Sequence, residues 1–364
     1  MMAPGYFVDL SIGRGVQRYF VPAALADWAS GVPLLGAIRT DISLAQPVAR
    51  SLSRGLLFAS AAERFPRPRD DAEVAWYCRP RRLSSLRDTG QRVLDAVEWL
   101  AKGLDADVLQ QAPAKLGLSA TLPRHGLVWI GSGHSLHESS WICPEPSHYE
   151  RLAEDFMQCF NGEQDTDARW LCMLHLQWTS LHPLKDGNGR LARTIVAALV
   201  LRRTQSLALS AAVMYLMVRW RRPLARSQLL AREGDPEPLW TLWSQLVAKA
   251  DAVLRLSRQY VLDLGGAGFE LEDILAAIES PALSSDHVPI GSAPHPLMYR
   301  RRVNGIVHES RPYADLLGGL ERRLGAGPYR QRALQRITPW FDEPPRVEAY
   351  GSPFWPGLKA WRSR

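Results

Sequence analysis

The sequence predicts a mainly α-helical protein with one small β-hairpin beside its functional centre, and terminal extensions of unassigned fold. Three observations carry this. Apolar residues recur at helical spacing through the middle of the chain, from Thr89 to about residue 262. Two short runs, LVWI (127–130) and SWIC (140–143), are rich in β-branched and aromatic residues and flank a Gly/Ser/His-rich turn, the pattern of a hairpin. Between two apolar helical stretches stands HPLKDGNGRLAR (182–193), which concentrates chemistry in one turn.

Taken in order, residues 1–88 hold short apolar runs cut by Gly and Pro, and mixed short helices with loops are expected there. The arginines of FPRPRDDAE and RPRRLSSLRD read as a solvated face. TGQRVLDAVEWLAKGL then sets Val93, Val97 and Leu100 on one helical face, with Thr89 as N-cap and Gly103 as stop. ADVLQQAPAKLGL starts as a helix and is expected to break at Pro113. After the hairpin, HYERLAEDFMQCF is amphipathic and ends at Asn161-Gly162. ARWLCMLHLQWTSL (168–181) and LARTIVAALVLRR (191–203) read as buried helices, and SAAVMYLMVRW as another. Glu233-Gly234-Asp235-Pro236 is a turn, with Pro238 in the first turn of a final helix, where its missing N–H costs nothing. From Gly265 the chain reads as irregular apart from a helix over 313–324. The expected division is therefore 1–88, 89–262 and 263–364.

The whole chain sets bounds. At 364 residues, with 46% hydrophobic and 22% charged residues and 13 Trp, it is a globular composition of two or three domains. A formal charge of +7 suits acidic partners such as nucleotides, but an excess this modest reads as a solvated surface and argues against nucleic-acid binding. Cys78, Cys143, Cys159 and Cys172 form no CxxC pair and no metal-ligand spacing, so reduced thiols are expected. No apolar run approaches a bilayer span, and Pro22, Asp27 and Pro33 interrupt the apolar segment 19–38, so no membrane association and a cytoplasmic protein are expected. Delivery into another cell remains open.

The chemistry concentrates in 182–193. A Gly-rich turn opening a helix presents free backbone N–H groups and the positive end of the helix dipole, which suits phosphate. His182 is the one side chain there whose ordinary pKa, about 6.5, suits proton abstraction near neutrality. Asp186 is a hard oxygen ligand of the kind Mg2+ takes alongside phosphate oxygens. Gly187, Asn188 and Gly189 can form an anion nest, with Asn188 orienting it or donating to a phosphate oxygen. Arg190 and Arg193, three apart, share one side of the helix and can grip outer phosphates. Asp186 as a helix cap and Arg193 as a structural ion-pair former are the plain alternatives. His125, His134, His137, His175 and Lys185 read as ordinary residues, and Trp170 and Trp178 as core.

This stretch resembles the signature of Fic (Fido-fold) proteins, H-x-F-x-D/E-G-N-G-R-x-x-R. Seven fixed positions agree, and Leu184 stands where Phe is usual. Val128-Trp129-Ile130-Gly131 and Pro144-Glu145-Pro146, about fifty residues earlier, are similar to the family's hairpin "flap", and the Gly-Asp turn before a last core helix matches as well. The resemblance covers about 89–262 and implies a Fido-fold helical core. It implies protein AMPylation: transfer of AMP from ATP to a Ser, Thr or Tyr hydroxyl of a target protein. Carried over residue by residue, His182 is the general base and Asp186 the Mg2+ ligand. Gly187, Asn188 and Gly189 hold the inner phosphates, and Arg190 and Arg193 the outer ones, with Asn188 and Arg190 counted in the catalytic machinery. Val128, Trp129 and Ile130 would dock the target by strand pairing. The same fold transferring UMP, phosphocholine or phosphate, or a Fic-fold binding protein without catalysis, are the alternatives. No Glu in the chain has Ser or Thr four residues before it, so the family's inhibitory helix pattern is missing. Inhibition then comes from a separate antitoxin-like protein or does not exist in this form.

Overall fold

The computed structural model describes residues 5–12, 15–28, 31–38, 40–62, 80–120, 122–130, 141–162, 167–266, 271, 287–289, 299–303 and 306–310. It is mainly helical, as the periodicity predicts. Strands β1 (Gly5–Ile12) and β2 (Gly15–Pro22) are followed by helices α1 (Leu25–Trp28), α2 (Gln46–Ala62), α3 (Pro80–Leu100) and α4 (Ala106–Lys115). The flap strands are β3 (Trp129–Ile130) and β4 (Trp141–Ile142). Helices α5 (Tyr149–Asn161), α6 (Arg169–Leu181), α7 (Asn188–Thr204), α8 (Leu207–Arg219), α9 (Arg221–Arg232) and α10 (Glu237–Gly266) follow. Strands β5 (His287–Pro289), β6 (Tyr299–Val303) and β7 (Ile306–Ser310) form an antiparallel sheet in the order β5-β6-β7.

The centre of the molecule is the pair α6 and α7. Trp170 to Trp178 are buried without interruption, and so are Thr194 to Val200, so both helices are apolar nearly all round. A helix of that kind needs neighbours on every side. They are supplied by α3 and α8 against α7, and by α5 and α10 against α6. Helix α5 shows the amphipathic alternative: Leu152, Ala153, Phe156 and Phe160 face inward, while Arg151, Glu154 and Gln158 stay exposed. Phe156 meets Trp178 with ring centroids 5.1 Å apart.

The N-terminal segment is stitched to this centre by two carboxylates. Asp155 of α5 accepts from Leu25 N–H at 2.6 Å and from the Gln177 amide at 3.3 Å. Asp167, itself buried and just ahead of α6, accepts from Leu35 N–H at 3.2 Å and from Arg169 N–H at 2.7 Å. One hydrophobic cluster runs from Tyr19 to Leu254.

Several expectations are corrected. Residues 5–12 and 15–22 pair as antiparallel strands, from Gly5↔Pro22 to Ile12↔Gly15, rather than forming short helices and loops. These strands carry Phe20 onto Trp141 of the flap, and Tyr19 and Val21 into the main core. Thr89 is no N-cap: α3 begins at Pro80, whose missing N–H is harmless at a first position, and runs straight through Thr89. The boundaries drawn at 88 and 262 both fall inside helices. Pro113 does not break α4, because it sits in the last turn and forfeits only one bond before the helix stops at Lys115. The segment 287–310 holds strands where irregular chain was expected. The helix expected at 313–324 lies outside the described residues. Among the described residues no helix is long and apolar enough to cross a membrane. Cys143, Cys159 and Cys172 are buried free thiols.

Candidate active site

Helix α6 ends on His182, the C-cap, whose N–H donates to Trp178 O at 2.9 Å. Its backbone is left-handed, φ 49° and ψ 55°. Gln205, which ends α7, adopts the same region, where a non-glycine residue is mildly strained and needs surroundings that hold it. The surroundings do so here: the buried Arg124 donates through Nε to His182 O at 2.8 Å, and Arg124 N–H donates to Pro183 O at 2.7 Å. The ring Nδ1 lies 3.3 Å from Thr179 O. A carbonyl can only accept, so this contact keeps the proton on Nδ1 and leaves the Nε2 lone pair for a substrate. Burial pushes the imidazole pKa down to about 4; the Thr179 carbonyl opposes that, the Arg232 and Arg124 guanidiniums add to it, and Asp186 opposes it. His182 is therefore neutral at pH 7, the form a base needs.

The loop from Pro183 to Gly187 is held from within. Asn188 is buried and spends its side chain on Leu184, accepting from its N–H at 2.9 Å and donating to its carbonyl at 2.7 Å. Of the two roles read for Asn188, orienting the turn is the one its amide performs. Leu184 is fully buried, so an aliphatic side chain fills the place of the usual Phe. Gly187 caps α7 at φ 91°. The conformation demands glycine, and a Cβ there would also push on the end of the Leu118 side chain, 2.6 Å away. The N–H groups of Asn188 and Gly189 belong to the first turn of α7 and have no intrahelical acceptor by construction.

Asp186 projects outward with its side chain 92% exposed, accepting from Gly187 N–H at 2.6 Å and standing 3.6 Å from an Arg190 Nη. One exposed carboxylate fits an ion such as Mg2+, which completes its shell with phosphate oxygens and water; among the described residues no group of three or more His, Cys, Asp or Glu converges on a metal. Arg190 is half-buried, and Arg193 lies on the same side of α7, one of its guanidinium nitrogens 3.2 Å from where a Gly189 Cβ would stand. The turn thus gathers His182, Asp186 and Gly187 to Arg193 in one place.

The flap borders the same loop. Trp129 pairs with Ile142 and Ile130 with Trp141, and Cys143 N–H donates to Val128 O at 2.9 Å. Strand β4 is buried, but Trp129 and Ile130 of β3 are 36% and 37% exposed. Among the described residues β3 has no strand on its outer side, so its edge can accept one.

Two arginines that sequence reasoning passed over complete the site. Arg124 lies in LPRHG, where no local pattern signals burial. Arg232 closes α9, donating to Ser180 Oγ at 2.7 Å and Thr179 Oγ1 at 3.0 Å, with its guanidinium 5.1 Å from the centre of the Trp141 ring. Its i,i+4 neighbour on α9, Gln228, is buried too, so a polar face of that helix points inward, the reverse of the usual pattern.

Fold and site together define a helical protein with a strand-edged flap over a loop that joins a left-handed histidine to a Gly-Asn-Gly helix start. Residues 122–200 match the model of the Fic/DOC family, whose members transfer nucleotidyl or phosphate-linked groups, so this segment of the chain is Fic-like. No curated protein matches the chain. A crystal structure of a Fic family protein from Desulfovibrio desulfuricans G20 aligns with 17% identity and a TM-score of 0.44, covering 81% of this chain and 82% of that one.

Proposed function

We propose that the protein is a protein adenylyltransferase that moves AMP from ATP to a Ser, Thr or Tyr hydroxyl of a target protein. The observation that carries this is the strained His182, neutral and with Nε2 free, at the end of the loop that leads into the Gly187–Gly189 helix start. His182 Nε2 takes the target's hydroxyl proton. The hydroxyl oxygen forms a bond to the α-phosphorus, the bond from that phosphorus to the bridging oxygen breaks, and pyrophosphate leaves. The first-turn N–H groups of α7 and its dipole hold the inner phosphates, and Arg190 and Arg193 hold the outer ones. Asp186 would hold Mg2+, which when bound neutralises charge on the phosphates. The exposed edge of β3 at Trp129 and Ile130, with Val128 just before it bonded inward to Cys143, would pair with an extended target segment and present its hydroxyl to His182.

Incubating the protein with α-labelled ATP, Mg2+ and a cell lysate should transfer label to a protein band. His182→Ala should reduce that labelling by about 10²–10⁴-fold, the range for loss of a general base. Equal labelling by both proteins would rule the assignment out.

A further inference from the structure

Arg124 is the least expected residue of the site. It is 4% exposed, its guanidinium has no carboxylate partner among the described residues, and every bond it makes goes to a backbone carbonyl. Nε donates to His182 O at 2.8 Å, one Nη to Gly126 O and the other Nη to Pro144 O. Gly126 precedes the first flap strand and Pro144 follows the second, so one planar group touches both arms of the hairpin and the backbone of the base at once. A buried cation is costly unless its donors are satisfied, and a five-donor fork is the side chain able to bridge three carbonyls. The burial of Arg124 therefore has to be matched by a function of the geometry it enforces.

We propose that Arg124 is a positioning residue that locks the target-docking flap to His182, so that a strand seated on β3 has its hydroxyl registered against the base. The inference rests on reading His182 as the base and β3 as the docking edge; the bridge itself does not. Arg232 works alongside it from the other side, joining Ser180 and Thr179 in the last turn of α6 to Trp141 of β4. Releasing Arg124 leaves the turn that would hold the nucleotide untouched, since none of its acceptors lies between Asp186 and Arg193.

Two variants separate geometry from charge. Arg124→Lys keeps the charge but cannot reach three carbonyls, and Arg124→Gln loses both. Labelling of the lysate band at saturating ATP should fall by about 10–100-fold in each, the scale of an ångström of misplacement. The ATP concentration for half-maximal labelling should stay within about twofold of wild type, because the phosphate-binding turn is untouched. The 13Cε1 resonance of His182, identified by its absence from His182→Ala, should shift in both variants. Full activity in Arg124→Lys would overturn the proposal, leaving charge alone as the explanation, and so would a rise in the ATP requirement that accounts for the whole loss. If neither variant melts cooperatively, the wild-type protein decides: the Arg124 Nε–H must exchange with solvent as slowly as the Cys143 N–H inside the flap, and fast exchange overturns the bridge. A wild-type protein that labels nothing counts against the proposed function, while the His182 resonance still decides the coupling.

Discussion

Helix α6 carries two histidines seven residues apart, and they have opposite chemistry. His175 sits mid-helix, fully enclosed: the Gln228 amide donates to its Nδ1 at 3.0 Å, and its ring meets Trp243 edge-on at 5.7 Å. Burial, with Arg193 and Arg232 adding to it, pushes its pKa down to about 3. His182, two turns later, is half-buried at the C-cap, and its Nδ1 faces a carbonyl instead of an amide donor. The first ring has its nitrogen occupied by a donor and serves packing. The second is turned so that Nε2 is the free acceptor. Suppression of the charged form is common to both, so a depressed pKa alone does not mark a base; the direction of one hydrogen bond does.

The sharpest way to break this contrast is a crossed pair of substitutions. His182→Ala should lose labelling by the factor given above while melting close to wild type. His175→Ala should instead lose about 2–4 kcal/mol of stability, from the cavity and the orphaned Gln228 amide, with labelling per folded molecule changed only a few-fold. Denaturant unfolding and the labelling assay read the two axes, and a His175→Ala protein that is stable but inactive would erase the distinction.

A smaller effect follows from what the two rings share. In the unfolded chain both titrate near 6.5, and in the folded protein at about 4 and about 3. Between those limits the unfolded chain holds protons that the folded one lacks, so this stability is complete above about pH 6.5 and is lost as pH falls. Each histidine contributes a slope of about 1.4 kcal/mol per pH unit below that point. Urea midpoints from pH 7 to 5 should show it, and His175→Phe should halve the histidine part of the slope. The smallest expected effect concerns rate. With His182 titrating at about 4, labelling should vary less than about twofold between pH 6 and 8 and fall only near pH 5 and below. An acid limb centred at the ordinary histidine value would mean that the ring is solvated in the working enzyme.

Legibility from sequence followed the range of the interactions. The 182–193 turn was readable because its seven residues are contiguous and each has a local reason, from the glycine at φ 91° to the paired arginines. Helices α5, α6 and α7 were readable from apolar content, and the flap from its two aromatic runs. What escaped depends on distant partners. Apart from the bond of Arg124 to Gly126, the bonds of Arg124 and Arg232 reach residues 20 to 58 positions away, and nothing in LPRHG or SQLLAR announces them. The first strand pair escaped because Tyr6 and Phe7 stay exposed on β1, which blurs the alternation that marks a strand. In the C-terminal segment, Asn304-Gly305 between MYRRRV and IVHES is the kind of dipeptide that signals a hairpin turn.

The paired strands β1 and β2 also change what counts as a portable unit. Phe20 lies against Trp141 with centroids 5.7 Å apart, and Phe7 faces the same indole at 6.5 Å, so the inner flap strand leans on an aromatic wall built at the very start of the chain. The family-matched segment begins at residue 122. Grafting that segment onto another scaffold would strip one side of Trp141 to water and leave the cradle of the flap incomplete. The movable module is discontinuous: its first and middle segments must travel together, like two halves of a hinge.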